Sequence, residues 1–531
     1  MRTSALSFAI GLAMTTVFAT GNSAWAQSTT PVDGGTAIVA IGDEPTGLSP
    51  GVTTNSTDMM VGCLVYEGLV QISDKGVIEP LLAKSWTVSD DGLTYEFDLQ
   101  ENVKWQDGQP FTADDVAFSI TEVNAKYAPL FTSHVAKVLD KVEAIDPHKV
   151  RISLKTPFGP MLRMLSCANG GAIHPAHVYK GTDPTKNPAT TEKSMGTGAF
   201  IASEWQRGDY LRFDKNPTYW QPGKPHLDSV IYKIIPDEAA RTQALMSGEV
   251  DLIGSYFLSV SDIKTLRANP NIRLEVEGGA PNNLLVFSNF KRKPLDDVKV
   301  RQALYTAIDR HYIQETAFSG EGMAATQPFA KQIAWLQSDV DFDKMYAFDL
   351  QKAAKMLDDA GYPVGADGTR FTLSITYEAN VPEREKAAQA MQDWWRQIGV
   401  RLELRPMEQA IVLPKVYQEK DFDLFMISYS TYGDPALGIA RAYVAATSER
   451  NFGNPSGYSR PEVEALFQEG GEVANLEKRT EAYAKAQAIL AEDLPAMVLH
   501  SNKGWDAVTT KLHGLWGGED NGRWENAWLE Q

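Results

Sequence analysis

Apolar and polar positions alternate most cleanly between Leu93 and Leu99, where Tyr95, Phe97 and Leu99 are apolar and Glu96 and Asp98 polar. A period of two with one dry face and one wet face predicts a half-buried strand. Asp90-Asp91-Gly92 before it and Asp107-Gly108 after Trp105 carry turn chemistry, so LTYEFDL and NVKW are expected to pair as a hairpin. The period then changes. Thr112-Ala-Asp-Asp predicts a helix start, with Thr112 placed to accept from first-turn amides and Asp115 where a capping box wants an acid.

The same reading carries along the chain. Thr36 to Ile41 is an apolar opening strand, and Asp58 to Leu69 reads as a helix. The strand Val230–Ile235, the helix Glu238–Ser247 and the strand Asp251–Ile253 predict a crossover unit in a mostly parallel sheet. Gly278-Gly279-Ala280-Pro281 is a turn-rich joint, and the strand Asn283–Ser288 after it is expected to cross into a second lobe. Asp296–Ile308 carries Val300, Leu304 and Ile308 on one helical stripe. Glu383–Ile398 is a second helix, closed by Gly399 and followed by the strand Val400–Leu404. Trp394 and Trp395 cannot share a helix face, so one belongs in the core and the other nearer a surface. Asp421–Tyr429 is a further strand whose far end opens into Gly433-Asp434-Pro435, and Leu494–Leu499 reads as a second crossing. Ligands of open α/β sheets bind beyond the carboxyl ends of strands, which marks that loop.

Composition narrows the class. The 531 residues are 43% hydrophobic and 22% charged, ordinary for a globular protein, and a net charge of -18 argues against a nucleic-acid partner. Met1-Arg2, the apolar run Ala5–Phe18 and Ala24-Trp25-Ala26 read as a secretory signal peptide over residues 1–26. No cysteine follows the cleavage point, so no lipid anchor is expected, and no other stretch approaches the ~18 apolar residues of a membrane span. Cys63 and Cys167 are the only cysteines. Export permits a disulfide between them, and two separate buried thiols fit equally well.

Leu81 to Ile120, with LAKSW, SDDGLTYEFDL and VKWQDGQPFTADDVAFS, resembles the signature segment of the large solute-binding proteins of ABC importers, the peptide, nickel and opine family. Further matching segments follow in order: Gly196-Thr-Gly198-Ala-Phe200, Asn216-Pro217-Thr-Tyr-Trp220, Gly248-Glu-Val-Asp251, Pro294-Leu-Asp-Asp-Val298 and Gly457-Tyr-Ser-Arg-Pro461. The resemblance implies an α/β, two-lobed periplasmic-binding-protein fold (type II, cluster C) with an extra α/β subdomain in the first lobe. It implies lobe I at 27–72 and 194–283, the subdomain at 73–193, lobe II at 284–501 and a return to lobe I at 502–531. It further implies a periplasmic monomer without a cofactor, whose partners are a small organic solute and an inner-membrane ABC permease.

In peptide-binding relatives an acid in the loop after the F-D-L strand anchors the ligand ammonium. Here that position falls on Thr431 or Tyr432, neither charged, while the second acid is kept as Asp434 and Tyr429 stands where a Trp is usual. The departure favours an opine or oligosaccharide over a free-amino-terminus peptide. Tyr429, Thr431, Tyr432, Asp434 and Arg441 are the expected ligand contacts in this loop, with Asn55 and Ser56 opposite them. Two other chemistries have sequence support. Gly47-Leu-Ser49-Pro-Gly51 matches the G-x-S-x-G pattern of a secreted serine hydrolase, although Pro50 postpones the helix that an exposed nucleophile needs. His174-Pro-Ala-His177 invites a metal, as in nickel or haem carriers, but no third ligand lies nearby.

Overall fold

The computed structural model describes residues 30–50, 52, 56–276, 281–379, 381–445, 453–502, 504–515 and 522–530. The signal peptide expected at 1–26 and the expected contact Asn55 lie outside these residues.

A seven-stranded sheet runs in the order Ile272–Val276, Trp505–Thr509, Leu252–Ile253, Thr36–Ile41, Ser229–Ile234, Tyr210–Lys215 and Phe200–Gln206. Thr36–Ile41 pairs in parallel with both neighbours, as the strand–helix–strand order requires. The remaining pairings are antiparallel, so the sheet is mixed and not mostly parallel. The reason is connectivity. The strands Phe200–Gln206 and Tyr210–Lys215 are joined by a tight turn at Gly208, which can link only antiparallel neighbours.

A four-stranded antiparallel sheet is inserted in this lobe, in the order Ala83–Val88, Thr94–Leu99, Lys149–Leu154 and Leu139–Asp146. Tyr95, Phe97 and Leu99 are buried and alternate with half-buried neighbours, the predicted pattern. Their partner is not the predicted one. The Asp90-Asp91-Gly92 turn joins Thr94–Leu99 to Ala83–Val88, while Lys104 makes only an isolated bridge with Pro110. The segment instead folds back across the Asp107-Gly108 turn, the Trp105 N–H donating to the Gln109 carbonyl at 2.8 Å and the Phe111 N–H to the Val103 carbonyl at 3.1 Å, so these backbone groups are not available to Thr94–Leu99. The helix Ala113–Phe118 begins after Thr112 as expected. Asp115 accepts from the Thr112 N–H at 3.0 Å, the Ala176 N–H at 2.9 Å and the Trp105 indole at 3.3 Å, which ties the helix to two flanking segments.

The predicted helix 58–69 is shorter, Ser56–Gly62. Beyond it, the Leu69 N–H donates to the Leu165 carbonyl at 3.0 Å, and the Glu67 carbonyl accepts from Ile173 at 2.9 Å. Backbone groups engaged in this docking are not available for helical bonds. A disulfide joins Cys63 to Cys167 beside the same contact.

The second lobe carries a six-stranded sheet, Met323–Ala324, Ala496–Asn502, Asn282–Ser288, Leu424–Ser430, Phe371–Glu378 and Val400–Met407. Helices Val298–Thr306, Pro382–Gln397 and Leu476–Asp493 cover it. Each of the three main sheets has its own apolar core.

Candidate ligand cleft

The chain passes between the two large sheets twice, side by side. Ile272–Val276 pairs with Trp505–Thr509 in the first sheet, ending at Val276 opposite Trp505. Asn282–Ser288 pairs with Ala496–Asn502 in the second, beginning at Asn282 opposite Asn502. The same two stretches of chain therefore pair antiparallel in both sheets, before and after the crossing. The joint expected at Gly278-Gly279-Ala280 lies outside the described residues. Arg267 and Glu321 bridge the lobes beside the crossing, fork to fork at 2.7 and 3.0 Å. The Glu321 side chain is only 8% exposed, and the guanidinium lies 5.4 Å from the Trp505 ring centroid.

Beyond Leu424–Ser430, the loop turns through left-handed backbone at Tyr432 and Gly433, φ 49° and 73°. Asp434 caps the turn Pro435–Leu437 through the Ala436 N–H at 3.1 Å. Both its oxygens are also held by Arg479 Nη2, at 2.7 and 2.6 Å, in a buried ion pair. Arg479 Nε donates to the Gly470 carbonyl at 2.6 Å, and the Trp335 indole donates to the Gly433 carbonyl at 3.2 Å.

The inserted subdomain closes on this loop. The Gly159 N–H donates to the Gly471 carbonyl at 2.8 Å. A side chain on Gly433 would begin 2.5 Å from Arg163 Nη1, so the loop backbone is approached directly by a guanidinium of the other lobe. Leu437 is buried in the subdomain's own core. His134 stacks on Phe158 at 6.2 Å. Burial first, then the positive charges of Lys137 and Arg441, push its pKa down to about 4.

Tyr429, Thr431, Tyr432, Asp434 and Arg441 thus share one loop, but their surroundings differ. The Tyr429 hydroxyl is within 2.7 Å of Tyr417 and donates to the Gly453 carbonyl at 3.1 Å, inside the core of the second lobe. Thr431 is buried, its hydroxyl accepting from the Gly433 N–H at 3.3 Å. Asp434 is neutralised by Arg479. Tyr432 is 42% exposed, and Arg441 is exposed with its guanidinium carbon 5.9 Å from the Tyr429 ring centroid. Ser56 is exposed at the start of its helix on the other lobe.

Arg163, Arg479, His134 and Gly159 escaped the sequence reading. A signal for the two arginines existed. Arg479 shares a helical stripe with Ala482, Tyr483, Ala486 and Leu490, and Arg163 is set between methionines and leucines in MLRML. A cation in an apolar stripe requires a buried acceptor.

The other candidate chemistries take different forms. Ser49 Oγ lies 2.8 Å from His174 Nε2, but both residues are wholly buried. Burial pushes the His174 pKa down to about 3, outweighing a backbone hydrogen bond at Ala172 that raises it, so the imidazole is a poor base. His177 instead pairs with Asp107 at 2.8 Å. Among the described residues no three His, Cys, Asp or Glu side chains converge on a metal position.

A family model for bacterial extracellular solute-binding proteins, family 5 (middle part), matches residues 77–450. The glutathione-binding protein GsiB of Escherichia coli O1:K1 is 29% identical over 91% of this chain and 92% of its own length. The structure of HbpA2 from Haemophilus parasuis superposes with a TM-score of 0.81 at 26% identity, covering 94% of this chain and all of that one. The oligopeptide-binding protein AppA of Bacillus subtilis, solved with a nonapeptide, superposes at 0.70 with 25% identity, over 94% of this chain and all of AppA. The two-lobed architecture, the paired crossings and these likenesses lead to one conclusion: the chain belongs to the bacterial extracellular solute-binding proteins, family 5, and is a solute-binding component of an ABC importer.

Proposed function

We propose that the chain captures a carboxylate-bearing small solute related to peptides, an opine or a γ-linked peptide such as glutathione, in the periplasm and hands it to a membrane permease. The solute sits between the lobe divided at 27–72, 194–283 and 502–531 and the lobe at 284–501, with the subdomain 73–193 as part of the first wall. Closure about the two-strand link is driven by a ligand that touches both walls only when they meet.

One observation carries the choice of solute. Asp434 is the only acid between Ser430 and Ala445, and Arg479 holds both its oxygens. A terminal ammonium therefore finds no uncompensated carboxylate in this loop, while Arg441 sets an exposed cation beside Tyr429. Likeness to glutathione-binding proteins supports a ligand with two carboxylates and a γ-linkage. Ser49 has no exposed face from which to attack an ester, which favours binding without turnover.

The test is calorimetry and thermal shift with glutathione, octopine, N-acetylglutathione, free tripeptides and maltotriose. Glutathione or octopine should saturate at one per chain, and acetylation should leave the affinity nearly unchanged. Loss of binding on acetylation, or binding of maltotriose alone, would overturn the reading.

A further inference from the structure

Asn283 is wholly buried, and neither its amide nitrogen nor its side-chain oxygen has a hydrogen-bond partner. Among the described residues no other side chain has two separate polar atoms orphaned together. It stands second on the first crossing strand, opposite Tyr429 on one side and Ser501 on the other. Two further orphans lie on the returning segment, Asn502 Oδ1 and Trp505 Nε1. Unpaired polar groups are thus gathered where the chain passes between the lobes.

The polar neighbours of Asn283 are already engaged. Ser501 Oγ donates to Gln332 Oε1 at 2.9 Å, and Gln332 Nε2 donates back to the Ser501 carbonyl at 3.3 Å. Gln327 serves the Leu336 carbonyl at 3.2 Å and the Ser338 hydroxyl at 3.3 Å. Between them and Asn283 lies a cavity of about 10 Å³, also lined by Met323 and Ala325. That is room for one water-sized group. A buried amide is retained without a protein partner only when something else completes its bonds.

The geometry points to a hinge-side subsite of the proposed cleft, in which Asn283 receives a neutral group of the solute that both donates and accepts, an amide or a hydroxyl. A carboxylate cannot serve, because it offers no hydrogen to Asn283 Oδ1. The subsite therefore assigns the orientation of the solute, neutral polar group toward the hinge and acid group away from it. It rests on the reading of a carboxylate-bearing solute given above.

The test compares wild type with Asn283→Ala, Asn283→Leu and Asn283→Asp, using as probes glutathione, which has two neutral amides, and octopine, which has no amide or hydroxyl. All three variants should bind glutathione at least tenfold more weakly; binding of octopine alone by wild type would overturn the subsite. Ligand-free Asn283→Leu should melt no lower than wild type, since it removes an unpaired group. A purely structural role, such as a fixed water, gives the opposite pair of results: lower melting without ligand and unchanged affinity. Those results would overturn the subsite. Failure of wild type to bind either probe would instead overturn the solute reading.

Discussion

Arg479 Nε lies 2.7 Å from the point where a side chain on Gly159 would begin, although the two residues belong to facing lobes. The Val473 carbonyl is as close, at 2.7 Å, so backbone as well as a flexible side chain blocks the space. Opposite, Arg163 lies against Gly433 in the same way. Each lobe thus sets a guanidinium against a glycine of the other. A methyl group on Gly159 obstructs the closed form and leaves an open form unaffected, whereas on Gly433, with φ 73°, it also strains the loop itself.

Gly159→Ala should therefore bind glutathione about tenfold more weakly or worse, a loss of about 1.4 kcal/mol or more, with ligand-free melting unchanged. Small-angle scattering on addition of glutathione checks it directly. Compaction equal to that of wild type would show that Gly159 does not gate closure.

Asp434 and Arg479 form a buried pair, so removing one partner strands a charge. Asp434→Asn should destabilise the ligand-free protein by about 3–5 kcal/mol, read by urea unfolding. Asp434→Leu combined with Arg479→Met should recover much of that loss. A residue serving only as a ligand contact would leave ligand-free stability untouched.

Glu67 is buried and accepts from Thr197 at 2.8 Å, Tyr219 at 2.8 Å and Trp220 at 3.0 Å. Burial outweighs these donors and pushes its pKa up to about 7. An acid raised in the fold contributes stability in full below its ordinary 4.5, lost as the pH rises through about 7. The span corresponds to a loss of order 3 kcal/mol. Melting followed from pH 4.5 to 8 should show this decline in wild type and a flatter profile in Glu67→Gln, whose absolute stability is lower because it accepts fewer bonds.

The disulfide Cys63–Cys167 closes a separation of 104 residues. Replacing both cysteines by alanine should cost about 2–5 kcal/mol, chiefly through a less restricted unfolded chain. Reductant should lower the melting temperature of wild type and not that of the variant.

Ser49→Ala should leave ester hydrolysis at background, equal to wild type. The hydrogen bond to His174 predicts a stability loss of about 1 kcal/mol instead. Esterase activity in wild type that disappears in the variant would revive the hydrolase reading.

Local periodicity was legible where it concerned single elements. Trp395 is buried and donates to the Leu304 carbonyl at 3.1 Å, while adjacent Trp394 is half-buried against Tyr312 and Phe348, as helix geometry required. The strand through Tyr95 and Phe97 and the helix after Thr112 were equally plain. Strand partners were not. Thr94–Leu99 presents the same alternation whichever neighbour it takes.

By itself the sequence determined most of the elements and, through a family pattern carried whole, the two-lobed class, because those depend on neighbours a few positions apart or on that pattern. Tertiary structure decided which charges in the loop after Ser430 are spent. Asp434 finds its counter-ion 45 positions away in Arg479, and Asn283 is left unpaired beside Ser501, which bonds Gln332 instead. Hydrogen bonds and ion pairs saturate, so a side chain's remaining capacity depends on partners that only folding brings within reach.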